Sequence, residues 1–110
     1  MPQTLTLPSF TTESETILQD VPVAYQTWGT LNAAGDNAVV VCHALTGDTD
    51  VADWWEGLLG PDRALDPTEE FVVCLNVPGS PYGSVSPLTK NPETGARYGA
   101  DFPLFTIRDT

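Results

Sequence analysis

Apolar residues gather in this chain as two short unbroken runs, and each run stops at a polar residue. The first is Val39–Cys42, inside the stretch NAVVVCHALTGD (Asn37–Asp48); the second is FVVCL (Phe71–Leu75), halted by Asn76. Runs without polar alternation read as strands covered on both faces, the habit of parallel sheets in α/β proteins. The 28 residues from His43 to Glu70 between them suffice for a helical crossover, so the pair predicts a parallel βαβ unit. Within that crossover Trp54, Trp55, Leu58 and Leu59 recur at helical spacing, with Gly60 and Pro61 as stop signals, which predicts a short helix between Asp48 and Gly60.

Elsewhere the pattern is weaker. Leu5–Leu18 reads as two extended segments around a polar Thr-Thr-Glu-Ser turn, a hairpin. In Val21–Trp28, Val23, Tyr25 and Thr27 alternate with Ala24, Gln26 and Trp28, with Pro22 at the start of the strand and Gly29 at its end. Leu31–Asp36 is a loop. Val77–Ala100 is rich in Pro, Gly, Ser, Thr and Asn without periodicity, a long structured loop of the kind that often carries function. Thr106 to Asp109 has the T-x-x-D form of a capping box, which should open a helix. Only Thr110 follows, so the expectation is a chain cut short of that helix. There are no internal repeats and no low-complexity tracts.

Length and charge narrow the function classes. At 110 residues and 41% apolar content, the chain accommodates one small globular domain or a piece of one. The apolar runs are far shorter than a membrane span, and MPQTLTLPSF has neither a basic stretch nor an apolar core like a leader's, so the expected location is cytoplasmic. Cys42 and Cys74 lie inside the apolar runs, as reduced buried thiols do. Fifteen acidic residues against four basic ones give a net charge of −11, which excludes nucleic acid as a partner because phosphate binding needs Lys and Arg clusters. Asp48, Asp50, Asp53, Glu69 and Glu70 are expected as solvated surface. So strong a charge repels itself unless salt screens it, and predicts a salt-adapted protein.

The position just past a buried strand, at its carboxyl end, is where open α/β sheets hold ligands, and here it is His43–Gly47. His43 is the single histidine. Neighbouring strand residues point to opposite faces, so Cys42 and His43 chelate no metal together and form no nucleophile pair. What remains is either a histidine satisfied at a strand end or a loop whose backbone amides face a substrate, like the oxyanion-hole loop after the third strand of α/β-hydrolases. Trp54 and Trp55 fit core packing better than a pocket lining. The aspartates lack the Gly and distal Glu of a calcium loop. Gly79, Gly83 and Gly95 follow no dinucleotide-binding pattern.

Taken together, several strings resemble one family, the homoserine O-acyltransferases of the α/β-hydrolase superfamily, chiefly the homoserine O-acetyltransferases. They are YQTWGTLN (Tyr25–Asn32), NAVVVCHALTGD, the Trp54-Trp55 pair, Gly60-Pro61, Ala64–Asp66, FVVCLNV with Gly79, Tyr82–Ser84, Pro87, NPETG (Asn91–Gly95), Tyr98-Gly99 and Phe102-Pro103 with Thr106–Asp109. The resemblance covers the chain from about Tyr25 onward. It implies the N-terminal part of a single α/β-hydrolase domain over residues 1–110, with antiparallel strands leading into the βαβ unit, ending before the nucleophile elbow.

The implied chemistry is a ping-pong transfer of an acetyl group from acetyl-CoA, a co-substrate rather than a bound cofactor, to the hydroxyl of L-homoserine in methionine biosynthesis. By the same resemblance, the Leu45 backbone amide supplies one oxyanion-hole donor, with His43, Ala44, Thr46 and Gly47 shaping the loop. The triad nucleophile, acid and base lie outside this chain, no metal is implied, and the full-length protein is expected as a homodimer. Departures from the family pattern are Thr49-Asp50, Asp62, Pro78, Ser80, Pro81 and Ser86. They leave open homoserine O-succinyl transfer, serine acylation or an esterase on the same fold. A non-catalytic acidic binding module is the alternative of another class.

Overall fold

A computed structural model of the chain describes residues 2–110 and contains four strands and one helical turn: β1 (Gln3–Thr11), β2 (Ile17–Trp28), β3 (Ala38–Cys42), α1 (Val51–Trp54) and β4 (Phe71–Leu75). The strands form one sheet in the order β1-β2-β4-β3. Both apolar runs are strands, and they pair in parallel, from Ala38↔Phe71 to Cys42↔Leu75, as the βαβ reading expects. β2 runs antiparallel to β4, from Tyr25↔Leu75 to Trp28↔Val72. By contact the chain divides into two compact units, one built mainly on Tyr25–Leu75 and the other on Thr4–Ala24 with Asn76–Thr110.

In the first unit, Val41, Val51, Val72 and Cys74 form the buried cluster, flanked by Trp28, Trp54, Leu59 and Leu65. Two expectations are corrected here. β3 is not covered on both faces: Val41 is buried, whereas Val40 is 59% exposed and Cys42 is also exposed. The reason is position, because β3 is the last strand of the sheet order and only its Val41 face meets the packing of α1. Cys74 is buried and Cys42 is not, and both are free thiols. The crossover helix is also shorter than its apolar spacing suggests. α1 spans four residues, after which Leu59 forms a parallel bridge with Leu65 while Leu65 N–H donates to Leu58 O and Gly60 N–H to Leu65 O. Backbone partners in the returning chain therefore capture Leu58 and Leu59 instead of a second helical turn.

Asp66 holds that returning segment. Its carboxylate accepts from Thr68 Oγ1 at 2.6 Å and Thr68 N at 2.9 Å, and from Asp62 N at 2.9 Å. The Thr68 hydroxyl foremost, then the Asp62 and Thr68 amides, hold the Asp66 carboxyl below its ordinary value. Glu70, half-buried, accepts from Asp66 N at 3.0 Å, while Asp48, Asp53 and Glu69 are exposed and Asp50 is half-buried.

The second unit opens with the expected hairpin, whose turn is closed by Thr12 N–H donating to Thr16 O and Glu15 N–H to Thr12 O. The extended segments on either side of Gln19-Asp20 turn out to be one strand, with Pro22 in its middle rather than at its start. Asp20 takes a left-handed φ of 50°, and the buried Leu18 and Val21 stand three residues apart, so the inward face slips by one position, as at a bulge. Leu18, Val21, Val85 and Tyr98 make the buried cluster, with Leu7, Phe10, Phe102 and Phe105 packed on it. Residues 77–100 contain no strand or α-helix, as expected, and a 3-10 turn spans Gly99–Asp101. The capping box is present: Asp109 Oδ2 accepts from Thr106 N at 2.8 Å, and the 3-10 turn Ile107–Asp109 follows.

Candidate functional site

The loop that the sequence singles out leaves the carboxyl end of β3 and makes a four-residue turn over Ala44–Gly47. Ala44 O closes it by accepting from Gly47 N at 2.8 Å. The same carbonyl lies 2.7 Å from His43 Nδ1, and because a carbonyl only accepts, the ring nitrogen donates. One carbonyl thus ties together the strand end, the histidine ring and the far side of the turn. Gly47 is closely approached: a Cβ there would come within 3.1 Å of His43 Cβ and 3.2 Å of Ala44 O, so these neighbours would have to give by a few tenths of an ångström. The histidine's ring is therefore half-buried and engaged in shaping the turn.

Leu45 and Thr46 occupy the two central positions. The Leu45 side chain is 94% exposed, and among the described residues its N–H donates to no hydrogen bond. An amide at the second position of a turn points away from the turn's own carbonyl, so it is available to an acceptor from outside. Electrostatically, such a site would favour an oxygen bearing partial negative charge. The arrangement holds His43, Ala44, Leu45, Thr46 and Gly47 in one local structure, as their contiguity requires.

Sequence reasoning missed how the far end of the loop is anchored. Asp48 O accepts from the Trp54 indole Nε1 at 3.1 Å and lies 3.7 Å from Cys74 Sγ. Asp48 Oδ1 accepts from Asp50 N at 2.9 Å, and the buried Thr49 hydroxyl donates to Gln26 Oε1 at 3.2 Å. Trp54 packs on the buried cluster, as expected of a core residue, while its neighbour Trp55 is half exposed. Burial, reinforced by Asp48, Cys42 and Asp50, pushes the Cys74 thiol up to about 11, so it stays protonated and able to donate. The one signal for this was a thiol at an inward position of β4, where Val41 is its register partner. Among the described residues no group of three or more His, Cys, Asp or Glu side chains is placed to hold a metal ion, and no helix is long and apolar enough to cross a membrane.

No family model matches the chain. It is 77% identical over 110 residues to homoserine O-acetyltransferase of Salinibacter ruber, covering all of this chain and 31% of that protein. By sequence, the chain corresponds to a part of the homoserine O-acetyltransferases. It is also 61% identical over 103 residues to the homoserine O-acetyltransferase of Saccharomyces cerevisiae, covering 94% of this chain and 21% of that protein. The chain thus spans under a third of the length of these relatives. Among solved structures, homoserine O-acetyltransferase from Bacillus anthracis matches with a TM-score of 0.88 at 30% identity, covering 99% of this chain and 33% of that one. Esterase E22 matches with a TM-score of 0.84 at 30% identity, covering 99% of this chain and 34% of its own. The fold is that of the α/β-hydrolases, with the antiparallel strands and parallel βαβ pair belonging to it.

Proposed function

We propose that this chain is the N-terminal portion of one α/β-hydrolase domain, and that it acts within a longer polypeptide that transfers an acetyl group from acetyl-CoA to the hydroxyl of L-homoserine, a step of methionine biosynthesis. In the first half-reaction a serine hydroxyl of the longer protein adds to the thioester carbonyl, and the CoA thiol leaves with a proton. In the second, the homoserine hydroxyl attacks the acyl-serine and the serine regains its proton. Both pass through a tetrahedral oxyanion, and the role of this chain is to present the Leu45 amide to it. His43, Ala44, Thr46 and Gly47 fix where that amide points.

The observation that carries this reading is the uncommitted Leu45 N–H on a turn locked by two hydrogen bonds to one carbonyl, in a chain 77% identical to a homoserine O-acetyltransferase. A second reading, an esterase in which water replaces homoserine, is favoured by the equal 30% identity to esterase E22 and to the Bacillus anthracis acetyltransferase. The reading extends to a cytoplasmic homodimer, and the net charge of −11 supports salt adaptation, with stability rising in potassium chloride.

The test uses the full-length protein. CoA release from acetyl-CoA should depend on L-homoserine, and release to the same extent with water alone would favour the esterase. Leu45→Pro deletes the amide proton at a turn position that accepts proline, and is expected to lower kcat about 100- to 1000-fold. Retention of a third or more of the activity would remove Leu45 from the oxyanion hole.

A further inference from the structure

The Ala44–Gly47 turn is fixed at one end by β3, and at its other end Asp48 is the first residue of the segment that leads into α1. That carbonyl is where two donors from different elements converge: the Trp54 indole N–H from α1 at 3.1 Å and the Cys74 thiol from β4 at 3.7 Å. Neither donor is accidental in its setting. Cys74 is fully buried at 0% exposure, paired in register with Val41, while the Trp54 ring packs on the same cluster and on Trp55, with centroids 5.2 Å apart. The carbonyl lies three residues after Leu45, so any swing of Asp48 turns the peptide planes of the loop.

We propose that the Trp54 indole and the Cys74 thiol form a two-donor clamp on the Asp48 carbonyl that sets the orientation of the Leu45 amide, which makes them positioning residues for the acyl-transfer reaction. The proposal rests on the reading of Leu45 as an oxyanion donor. It accounts for a polar edge of a tryptophan and a thiol placed together against a hydrophobic cluster of Val41, Val51 and Val72. A hydrocarbon at either position would fill the space equally well and leave the carbonyl with one partner fewer. The thiol remains a donor throughout the neutral range because burial holds its proton. A clamp of this kind acts on a transition state that needs a fixed dipole and leaves ground-state binding alone, so its loss belongs in kcat rather than KM.

The test uses the full-length enzyme and two readouts. Trp54→Phe keeps a ring and loses the N–H; it is expected to lower kcat five- to tenfold while KM for acetyl-CoA and for homoserine stays within about twofold. Cys74→Val, without a donor, should lower kcat about threefold, and Cys74→Ser, which restores one, should recover it. Independently of activity, hydrogen exchange at the Gly47 amide should accelerate several-fold in Trp54→Phe and in Cys74→Val, and not in Cys74→Ser. An unchanged kcat in folded Trp54→Phe would overturn the clamp, as would a Cys74→Ser no better than Cys74→Val. Should Trp54→Phe fail to fold, the cysteine pair decides. Were the unsubstituted enzyme inactive with homoserine, the functional reading would fall, and the exchange rates alone would judge the clamp.

Discussion

The unit built on Tyr25–Leu75 and the unit built on Thr4–Ala24 with Asn76–Thr110 each bury four residues as a cluster, and they hold those residues by different means. In the first, regular strand pairing sets the spacing. β4 lies between β2 and β3, so Val72 and Cys74 are fixed by ladders on both sides, and the candidate loop leaves the end of one of those ladders. In the second, residues 77–98 have no named strand or helix, and the long segment is fastened by single bonds to particular groups. Ser84 Oγ accepts from Ala24 N at 2.9 Å and donates to Asn76 O, Val85 N–H donates to Pro22 O, and Thr89 Oγ1 accepts from Ser86 N. Phe105 stacks between Phe10 and Phe102, with centroids 5.9 and 5.2 Å away. A ladder distributes load over many equivalent bonds, whereas a fastened loop concentrates it on a few.

If that contrast is right, the first unit should break where its chain path is forced and not where one side-chain bond is lost. Gly29 is such a point. It ends β2 with φ 81°, and a Cβ there would lie 2.1 Å from Glu70 O and 2.6 Å from Pro67 O, both backbone atoms that cannot step aside. Gly29→Ala combines a left-handed conformation with a backbone clash and is expected to cost about 4 kcal/mol in urea denaturation. A loss below about 1 kcal/mol would mean that this unit tolerates a shift of its crossover, and the ladder would lose its claim to rigidity.

The second unit should instead be sensitive to one hydroxyl. Ser84→Ala removes the acceptor of the buried Ala24 amide and the hydroxyl that donates to the Asn76 carbonyl, and the expected cost is about 2 kcal/mol with no change in the aromatic near-ultraviolet spectrum. A negligible cost would transfer the fastening role to the stack of Phe10, Phe105 and Phe102.

The same contrast explains what could be read from the sequence. Val39–Cys42 and Phe71–Leu75 announce themselves because a strand's signal is carried by its own residues. The exposure of Val40 and Cys42 was not legible, since it depends on β3 lying at the end of the sheet order, a property of the whole arrangement. Helical spacing in Trp54, Trp55, Leu58 and Leu59 misled because the chain turns back beyond Gly60, and Leu65 takes Leu58 and Leu59 as backbone partners. In the second unit, Phe10 and Phe105 meet although 95 positions apart, and nothing local marks them as partners. For the candidate site, the turn from Ala44 to Gly47 could be anticipated because glycine and a strand end are sequence signals. Its anchor could not, because a main-chain carbonyl carries no residue-type signature and its two donors lie 6 and 26 residues away.

Cys74 provides the finest discrimination, because it belongs to the ladder and to the anchor at once. Its thiol titrates at about 11 in the folded protein, against an ordinary value near 9. The folded chain thus holds this proton more tightly than the unfolded chain, so the resulting stabilisation is complete below pH 9 and is lost as the pH rises through 11. Between pH 9 and 10 the decline should amount to less than about 1 kcal/mol, measured by urea denaturation at constant salt. Tyr98 is also pushed up, by burial first and then by Glu93 and Asp20, so its effect has the same sign and enters at higher pH. Cys74→Val should flatten the slope between pH 9 and 10 while leaving the steeper fall above it. Were the slope unaltered in that variant, the thiol would be titrating near its ordinary value. The inner face of β4 would then be open to water, and the first unit would be no better sealed around its ladder than the second is around its loop.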